Sequence, residues 1–252
     1  MKPFEDHFSR LAGAYARYRP QYPPELFEAL ASHCARLDLA WDCACGSGQA
    51  TLALAERFAA VIATDASADQ VAAAPPHPRV TYRVAPAEAS GIDAGSVDLI
   101  AVAQSLHWFD LERFYAEVRR VASPQGVLAV WTYDTLRVDD SGVDACVRSA
   151  YEGMLGPYWP AERRHVESGY RTLPFPFEEL QLPGFAMQVR WSLPQLLGML
   201  ASWSAVGRYR KARGIDPLPQ IARSLEAAWG EPARERGISW PLSVRAARVP
   251  PR

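Results

Sequence analysis

Two short segments carry side chains whose types and spacing could do chemistry. The first is Asp42-Cys43-Ala44-Cys45-Gly46-Ser47-Gly48, with Asp65 nineteen positions after Gly46. Glycines let a backbone turn tightly and approach a ligand closely. A carboxylate ending the next strand can accept hydrogen bonds from both hydroxyls of a ribose. An adenosine-containing ligand fits this stretch. The second segment is Gln104-Ser105-Leu106-His107-Trp108-Phe109-Asp110. Here His107 could accept a proton or orient a substrate, and Trp108 could line a cavity; a packed aromatic corner is the alternative.

The elements around these residues place them at strand ends. Leu39-Ala40-Trp41 is apolar and reads as a buried strand. Gln49 to Phe58 has helical spacing, with Leu52, Ala55 and Phe58 on one stripe. Val61-Ile62-Ala63-Thr64 is a second apolar strand that ends at Asp65. Ala68 to Ala74, Val80 to Val84, Val97 to Val102, Leu111 to Val121 and Val127 to Trp131 continue as helix, strand, strand, helix and strand, with Ser123-Pro124-Gln125-Gly126 as a turn. This alternation predicts an α/β fold with a doubly wound, mostly parallel sheet and helices on both faces. Glu25 to Leu37 is a helix that Pro24 can open. Beyond residue 134 the alternation is lost: Phe185 to Trp191 and Ile238 to Val249 read as strands, Leu193 to Arg213 and Leu218 to Trp229 as helices. Three parts follow: an N-terminal helical cap over 1–38, a ligand-binding α/β core over 39–133, and over 134–252 a helical substrate cap plus the last two strands of the core sheet.

Composition excludes several classes. A net charge of −1 over 252 residues gives no electrostatic reason to expect nucleic acid or an anionic membrane as partner. Lys2 and Lys211 are the only lysines, and neither has a tyrosine four residues before it, so a Tyr-x-x-x-Lys dehydrogenase pair cannot occur. The dinucleotide fingerprint wants a small third residue where Thr51 stands, and a P-loop wants Lys where Gln49 stands. Cys34, Cys43, Cys45 and Cys146 form no C-x-x-C pair, so neither a metal site nor a disulfide scaffold is expected. With no apolar h-region at the start and no run approaching a membrane span, a cytoplasmic protein is expected. Trp159, Trp191, Trp203, Trp229 and Trp240 could build a pocket but read mainly as packing, and Arg208-Tyr209-Arg210-Lys211 reads as a solvated helix end.

The glycine segment resembles the D-x-G-x-G-x-G loop of class I S-adenosylmethionine-dependent methyltransferases, with Ala44 in place of the first glycine, a replacement that is easy if φ there is negative. Ala87-Glu88 followed by Ser96-Val97-Asp98-Leu99-Ile100 resembles the family's A-E…S-F-D-L-V stretch, and Arg120-Val121…Pro124-Gln125-Gly126-Val127-Leu128 its R-x-L-x-P-G-G-x-L stretch. Pro86 stands where an acid is frequent, which leaves the base contact to the Ala87 backbone and apolar packing. A narrower resemblance, to small-molecule methyltransferases similar to the trans-aconitate enzymes, is carried by Phe8…Ala12…Tyr15…Arg19-Pro20…Tyr22-Pro23, by Gln104 to Asp110, by Leu173-Pro174-Phe175-Pro176-Phe177 and by Trp240-Pro241-Leu242.

The resemblance implies a seven-stranded sheet and S-adenosyl-L-methionine as cofactor, with no metal. It implies cofactor contacts from Tyr15, Arg19, Asp42, Ala44, Gly46, Gly48, Asp65, Ala66, Ala87, Glu88 and Gln104. Asp42 would receive the methionine amino group, since a lone buried carboxylate is otherwise costly, and Arg19 could pair with the methionine carboxylate. His107 and Trp108 are the catalytic or acceptor-lining pair. The implied reaction is methyl transfer to oxygen of a small carboxylic acid or similar polar metabolite, by a monomer or homodimer. An NAD(P)-dependent oxidoreductase and a catalytically silent binding protein are the alternatives. The segment Gln104-Ser105-Leu106-His107 lacks the N/D-P-P-Y/F motif of base amino methylation.

Overall fold

The computed structural model describes residues 20–250. Eight strands form one sheet: β1 (Leu39–Cys43), β2 (Ala60–Asp65), β3 (Val80–Val84), β4 (Val97–Ala103), β5 (Ala122–Tyr133), β6 (Arg137–Val138), β7 (Phe185–Trp191) and β8 (Arg236–Arg248). The order is β3-β2-β1-β4-β5-β8-β7, and the short β6 pairs with β8 on the same edge as β5, past the end of β5. β1 to β5 pair in parallel; β8 runs antiparallel to β5, β6 and β7. The seven expected strands are all present, and the eighth is β6, two residues too short to show any alternation.

Apart from Asp42 and Asp98, β1 and β4 are apolar because both sheet faces are covered. Leu99 and Ala101 pack with Leu26, Phe27, Leu54 and Trp131 on one face. Ile100 and Val102 pack with Trp41, Phe114, Val118 and Leu128 on the other. The helices are α1 (Pro24–Ser32), α2 (Thr51–Ala55), α3 (Ala68–Ala73), α4 (Leu111–Val121), α5 (Ser141–Arg148), α6 (Arg163–Glu167), α7 (Leu193–Ala201), α8 (Ser204–Arg213) and α9 (Leu218–Trp229).

Several helices differ from the sequence pattern. α1 stops five residues short of Leu37. α2 spans only Thr51–Ala55, because Gly48, at φ +88°, holds the preceding residues in a turn. The expected helix 193–213 is two helices: the Ser202 hydroxyl donates to the Met199 carbonyl at 2.6 Å, and Trp203 is extended. A serine bonding back to its own helix competes with the backbone ladder in this way. The turn 123–126 lies within β5, where Gln125 has φ +67° and the register slips between Val97 and Leu99. A Cβ on Gly126 would come within 2.9 Å of the Val97 carbonyl, so the glycine is required.

The N-terminal edge of the sheet is stitched by Asp98. Its Oδ2 accepts the Asp38 and Leu39 N–H groups at 3.0 and 3.2 Å, and its Oδ1 accepts the Ser123 hydroxyl at 2.7 Å and the Arg36 guanidinium at 3.4 Å.

Candidate active site

The opposite, C-terminal edge holds the glycine loop. Ala44, Gly46 and Gly48 have φ of +56°, +54° and +88°. The easy replacement of glycine by Ala44 therefore does not hold: this alanine sits in the left-handed region, at a cost of roughly 1–2 kcal/mol for an L-residue. The loop is tied to β2 through Asp65, whose Oδ2 accepts the Gly46 N–H at 2.8 Å and whose Oδ1 accepts the Ser67 N–H at 2.8 Å. A carboxylate offers about four acceptor sites, so two remain for a ligand. Ala66, beside it, is exposed. Under the loop, a Cβ on Gly48 would meet the Tyr82 hydroxyl of β3 at 2.9 Å.

Asp42 ends β1 fully buried. Its Oδ2 accepts the Thr51 hydroxyl at 2.5 Å, while Oδ1 is sealed from solvent with no hydrogen-bond partner. Burial, opposed by the Thr51 bond and helped by the Asp65 charge, pushes its carboxyl up to about 7. The Oε1 of Gln49 and the hydroxyl of Tyr82 are likewise buried and unpartnered. Three orphaned polar atoms around one loop are what a polar ligand would satisfy.

After β4 the chain turns at Gln104, at φ +62°. The Gln104 amide is engaged with β5: it donates to the Tyr133 carbonyl at 3.2 Å and accepts the Thr132 hydroxyl at 2.8 Å. The 3₁₀ turn Leu106–Trp108 then presents His107, whose Nδ1 is 3.0 Å from the Tyr170 hydroxyl, and Trp108, which is exposed. Burial, together with the nearby His165 and Arg163 charges, holds the His107 imidazole down at about 3, so the ring is neutral at physiological pH. Tyr170 is itself buried, and that burial raises its hydroxyl above the usual tyrosine range. Ala87 is buried in the loop after β3, and the Glu88 carboxylate accepts the Asp110 N–H at 2.9 Å, tying that loop to the start of α4.

A cavity of about 320 Å³ opens beside the end of β5, lined by Tyr151, Trp159, Arg163 and Glu167 among others. The Arg163 guanidinium donates to the Tyr151 hydroxyl at 2.7 Å and to Asp134 at 3.3 Å, and lies 5.0 Å from the Trp159 ring centre. Of the tryptophans, Trp191, Trp229 and Trp240 are core. Trp159 and Trp203 instead stack with Tyr151, at 4.7 and 5.5 Å.

The fold thus brings Asp42, Ala44, Gly46, Gly48, Asp65 and Ala66 to one loop cluster, and Ala87, Glu88, Gln104, His107 and Trp108 to the adjoining turns of the same sheet edge. Tyr15 and Arg19 lie outside the described residues. Tyr22, just beyond them, packs its ring 5.6 Å from Trp131. The sequence reading missed Thr51, Tyr82, Tyr170, Arg163 and Asp134. Thr51 was visible only as a misfit to the dinucleotide pattern; the others reach the site through tertiary packing, which no short motif records. Among the described residues no cluster of metal-ligating side chains is present and no helix is long and apolar enough to cross a membrane.

Parallel strands in the order β3-β2-β1-β4-β5 completed by antiparallel β8 and β7, with a glycine loop after β1 and an acid ending β2, are the arrangement of a class I methyltransferase. Residues 41–130 match the family model described as a methyltransferase domain. A protein of Dictyostelium discoideum assigned by name as a methyltransferase is 35% identical over 230 residues, covering 90% of this chain and 87% of its own. An uncharacterized methyltransferase of Mycobacterium tuberculosis is 36% identical over 205 residues, covering 78% and 76%. A solved structure from Anaeromyxobacter dehalogenans, described as a type II methyltransferase, superposes with a TM-score of 0.89 at 51% identity, over 93% of this chain and all of that one. This chain belongs to the class I S-adenosylmethionine-dependent methyltransferases, and its cofactor is S-adenosyl-L-methionine. The oxidoreductase alternative falls with that membership. The orphaned Asp42 oxygen and the left-handed turn at Gly46 and Gly48 fit this cofactor.

Proposed function

We propose that this enzyme methylates a small organic acid, or a similarly polar metabolite, at oxygen. The observation that carries this reading is the cavity around Arg163: at about 320 Å³ it suits a small polar molecule, its wall combining the Trp159 face, Arg163, which is paired with Asp134, Arg164 and the acidic Glu152 and Glu167. The likeness to trans-aconitate methyltransferases supports a carboxylate as the acceptor group. S-adenosylmethionine supplies an electrophilic methyl group when bound.

Asp42, Ala44, Gly46, Gly48, Asp65, Ala66, Ala87, Glu88 and Gln104 hold the cofactor in this reading, together with Tyr15 and Arg19. His107 and Trp108 border the acceptor, and the stretches 1–38 and 134–235 cover it. A carboxylate oxygen is already ionised and needs no base. The chain's task is to place that oxygen in line with the methyl group and exclude water. A neutral His107 held on Tyr170 suits orientation; a general base works best with a pKa near the working pH.

The test is a panel of organic acids, phenols and amines with methyl-labelled cofactor, scored for base-labile product. Methyl esters release label in mild alkali, whereas ethers and N-methyl products keep it. Label that stays bound in alkali, or turnover of amines alone, rejects the carboxylate reading. His107→Gln should keep most of the activity, and the wild-type rate at saturating cofactor should show no limb near pH 6.5. A loss of about 10²–10⁴-fold with disappearance of such a limb would make His107 a base.

A further inference from the structure

Asp42 is pinned by one oxygen. Thr51 opens α2 directly below the glycine loop, is buried, and donates its hydroxyl to Oδ2 at 2.5 Å. With Oδ2 fixed, the direction of Oδ1 is fixed too, and Oδ1 has no partner. The ionisable groups around this carboxyl are Asp65 from β2, Tyr82 from β3, Glu88 from the loop after β3, and Cys43 and Cys45 on either side of Ala44. None is a cation, so among the described residues the Asp42 carboxylate has no counter-ion. A buried charge without one is held neutral by protonation.

We propose that Thr51 is a positioning residue for cofactor binding: by holding Oδ2 it aims the Asp42 Oδ1 at the cofactor's α-ammonium, and docking of that ammonium expels a proton from Asp42. This rests on Asp42 as the ammonium's partner. The balance is simple. Below about pH 7 and without cofactor Asp42 is a neutral carboxylic acid; on docking its O–H bond breaks, the proton passes to solvent, and the carboxylate pairs with the unchanged ammonium. The burial that raises the Asp42 carboxyl to about 7 sets the pH range in which this shows. Below that value docking must remove a proton, so affinity falls as pH drops; above it the proton is already gone and affinity levels off. The Thr51 hydroxyl stabilises the charged form, so its removal moves the whole curve to higher pH.

The experiment is calorimetric titration of S-adenosylhomocysteine, which keeps the α-ammonium and reacts with nothing. It is run between pH 5.5 and 8 in two buffers of different ionisation enthalpy, so that protons released per ligand are read directly. Wild type should release close to one proton at the acid end and few at the alkaline end. Thr51→Val keeps the volume and loses the donor. It should shift the release curve up by about one pH unit and weaken binding about tenfold at pH 6.5, with a much smaller loss at pH 8. Thr51→Ser, which restores the hydroxyl, should return both curves toward wild type, a rescue that a merely structural role would not give. Binding by Thr51→Val that follows the wild-type pH curve overturns the role of Thr51. Wild-type binding without proton release overturns the linkage. If Asp42→Asn binds as tightly as wild type at every pH, the ammonium partner lies elsewhere, a failure of the underlying reading distinct from the other two.

Discussion

Asp42 and Asp98 lie on the neighbouring strands β1 and β4, both buried, and they are opposites. Asp98, at the N-terminal edge, receives four donors from Asp38, Leu39, Arg36 and Ser123. Asp42, at the C-terminal edge, receives one and leaves an oxygen orphaned. The backbone does not share this contrast: Ala44 and Gln104 sit at positive φ on the C-terminal side, and Gln125, close to the Ser123–Asp98 bond, sits at φ +67° on the N-terminal side. One edge of the sheet is saturated and holds the fold together. The other is under-satisfied, which is where a protein accepts instability to keep groups available for a ligand.

The contrast is sharpest in stability. Asp98→Ala should lower unfolding free energy by about 3 kcal/mol or more, because it strips partners from several buried or half-buried donors at once. Chemical denaturation measures this, and a loss near zero would make the N-terminal edge no more structural than the other. Asp42→Asn should do the reverse, raising the melting temperature of the ligand-free protein at pH 8. The sign follows from the raised carboxyl: a folded-state value of about 7, above the unfolded one, makes the charge destabilising as pH climbs from about 4 to 7. The gain should therefore vanish near pH 4.

Asp65→Ala should weaken S-adenosylhomocysteine binding at least about tenfold, since hydrogen bonds to a charged acceptor are worth roughly 1.5–3 kcal/mol each. Calorimetry showing unchanged affinity would move the ribose elsewhere. The smallest effect is at Ala44. Glycine there relieves a left-handed alanine but adds freedom to the unfolded chain, so Ala44→Gly should stabilise by only about 0.5 kcal/mol. A clear destabilisation would mean that the alanine methyl group is held by favourable packing.

The sheet, its order of elements and the glycine loop were legible because each rests on local signals: apolar runs, glycines and an acid at the right distance. β3, α4, β7 and α9 match their expected limits. The break at Ser202-Trp203 was not legible, since it turns on which carbonyl a serine hydroxyl chooses. Nor was the sign of φ at Ala44, which the loop's closure imposes on whatever residue stands there. At the candidate site the residues visible in motifs include Asp42, Asp65 and His107. Those that set their chemistry, Thr51, Tyr170 and Arg163, come from a helix start, a distant turn and the segment after β5. Asp98 shows the converse: it stood within a motif-like stretch, and its work is at the far edge of the sheet.

The double pairing of β8 bears on how the chain reaches this structure. β1 to β5 assemble through βαβ units and the helix-free crossover from β3 to β4, each closing a short span. β8 must find β5 across everything between Tyr133 and Arg236, and only then do Val127 and Arg248 come into register. Loop closure over that span is unfavourable until the pairing is made, which slows folding. β7 has no strand neighbour except β8. Until β8 docks, the backbone of Phe185–Trp191 is an open edge able to template another copy of itself. A refolding intermediate with five strands zipped and β7 bare is where aggregation of this protein should begin.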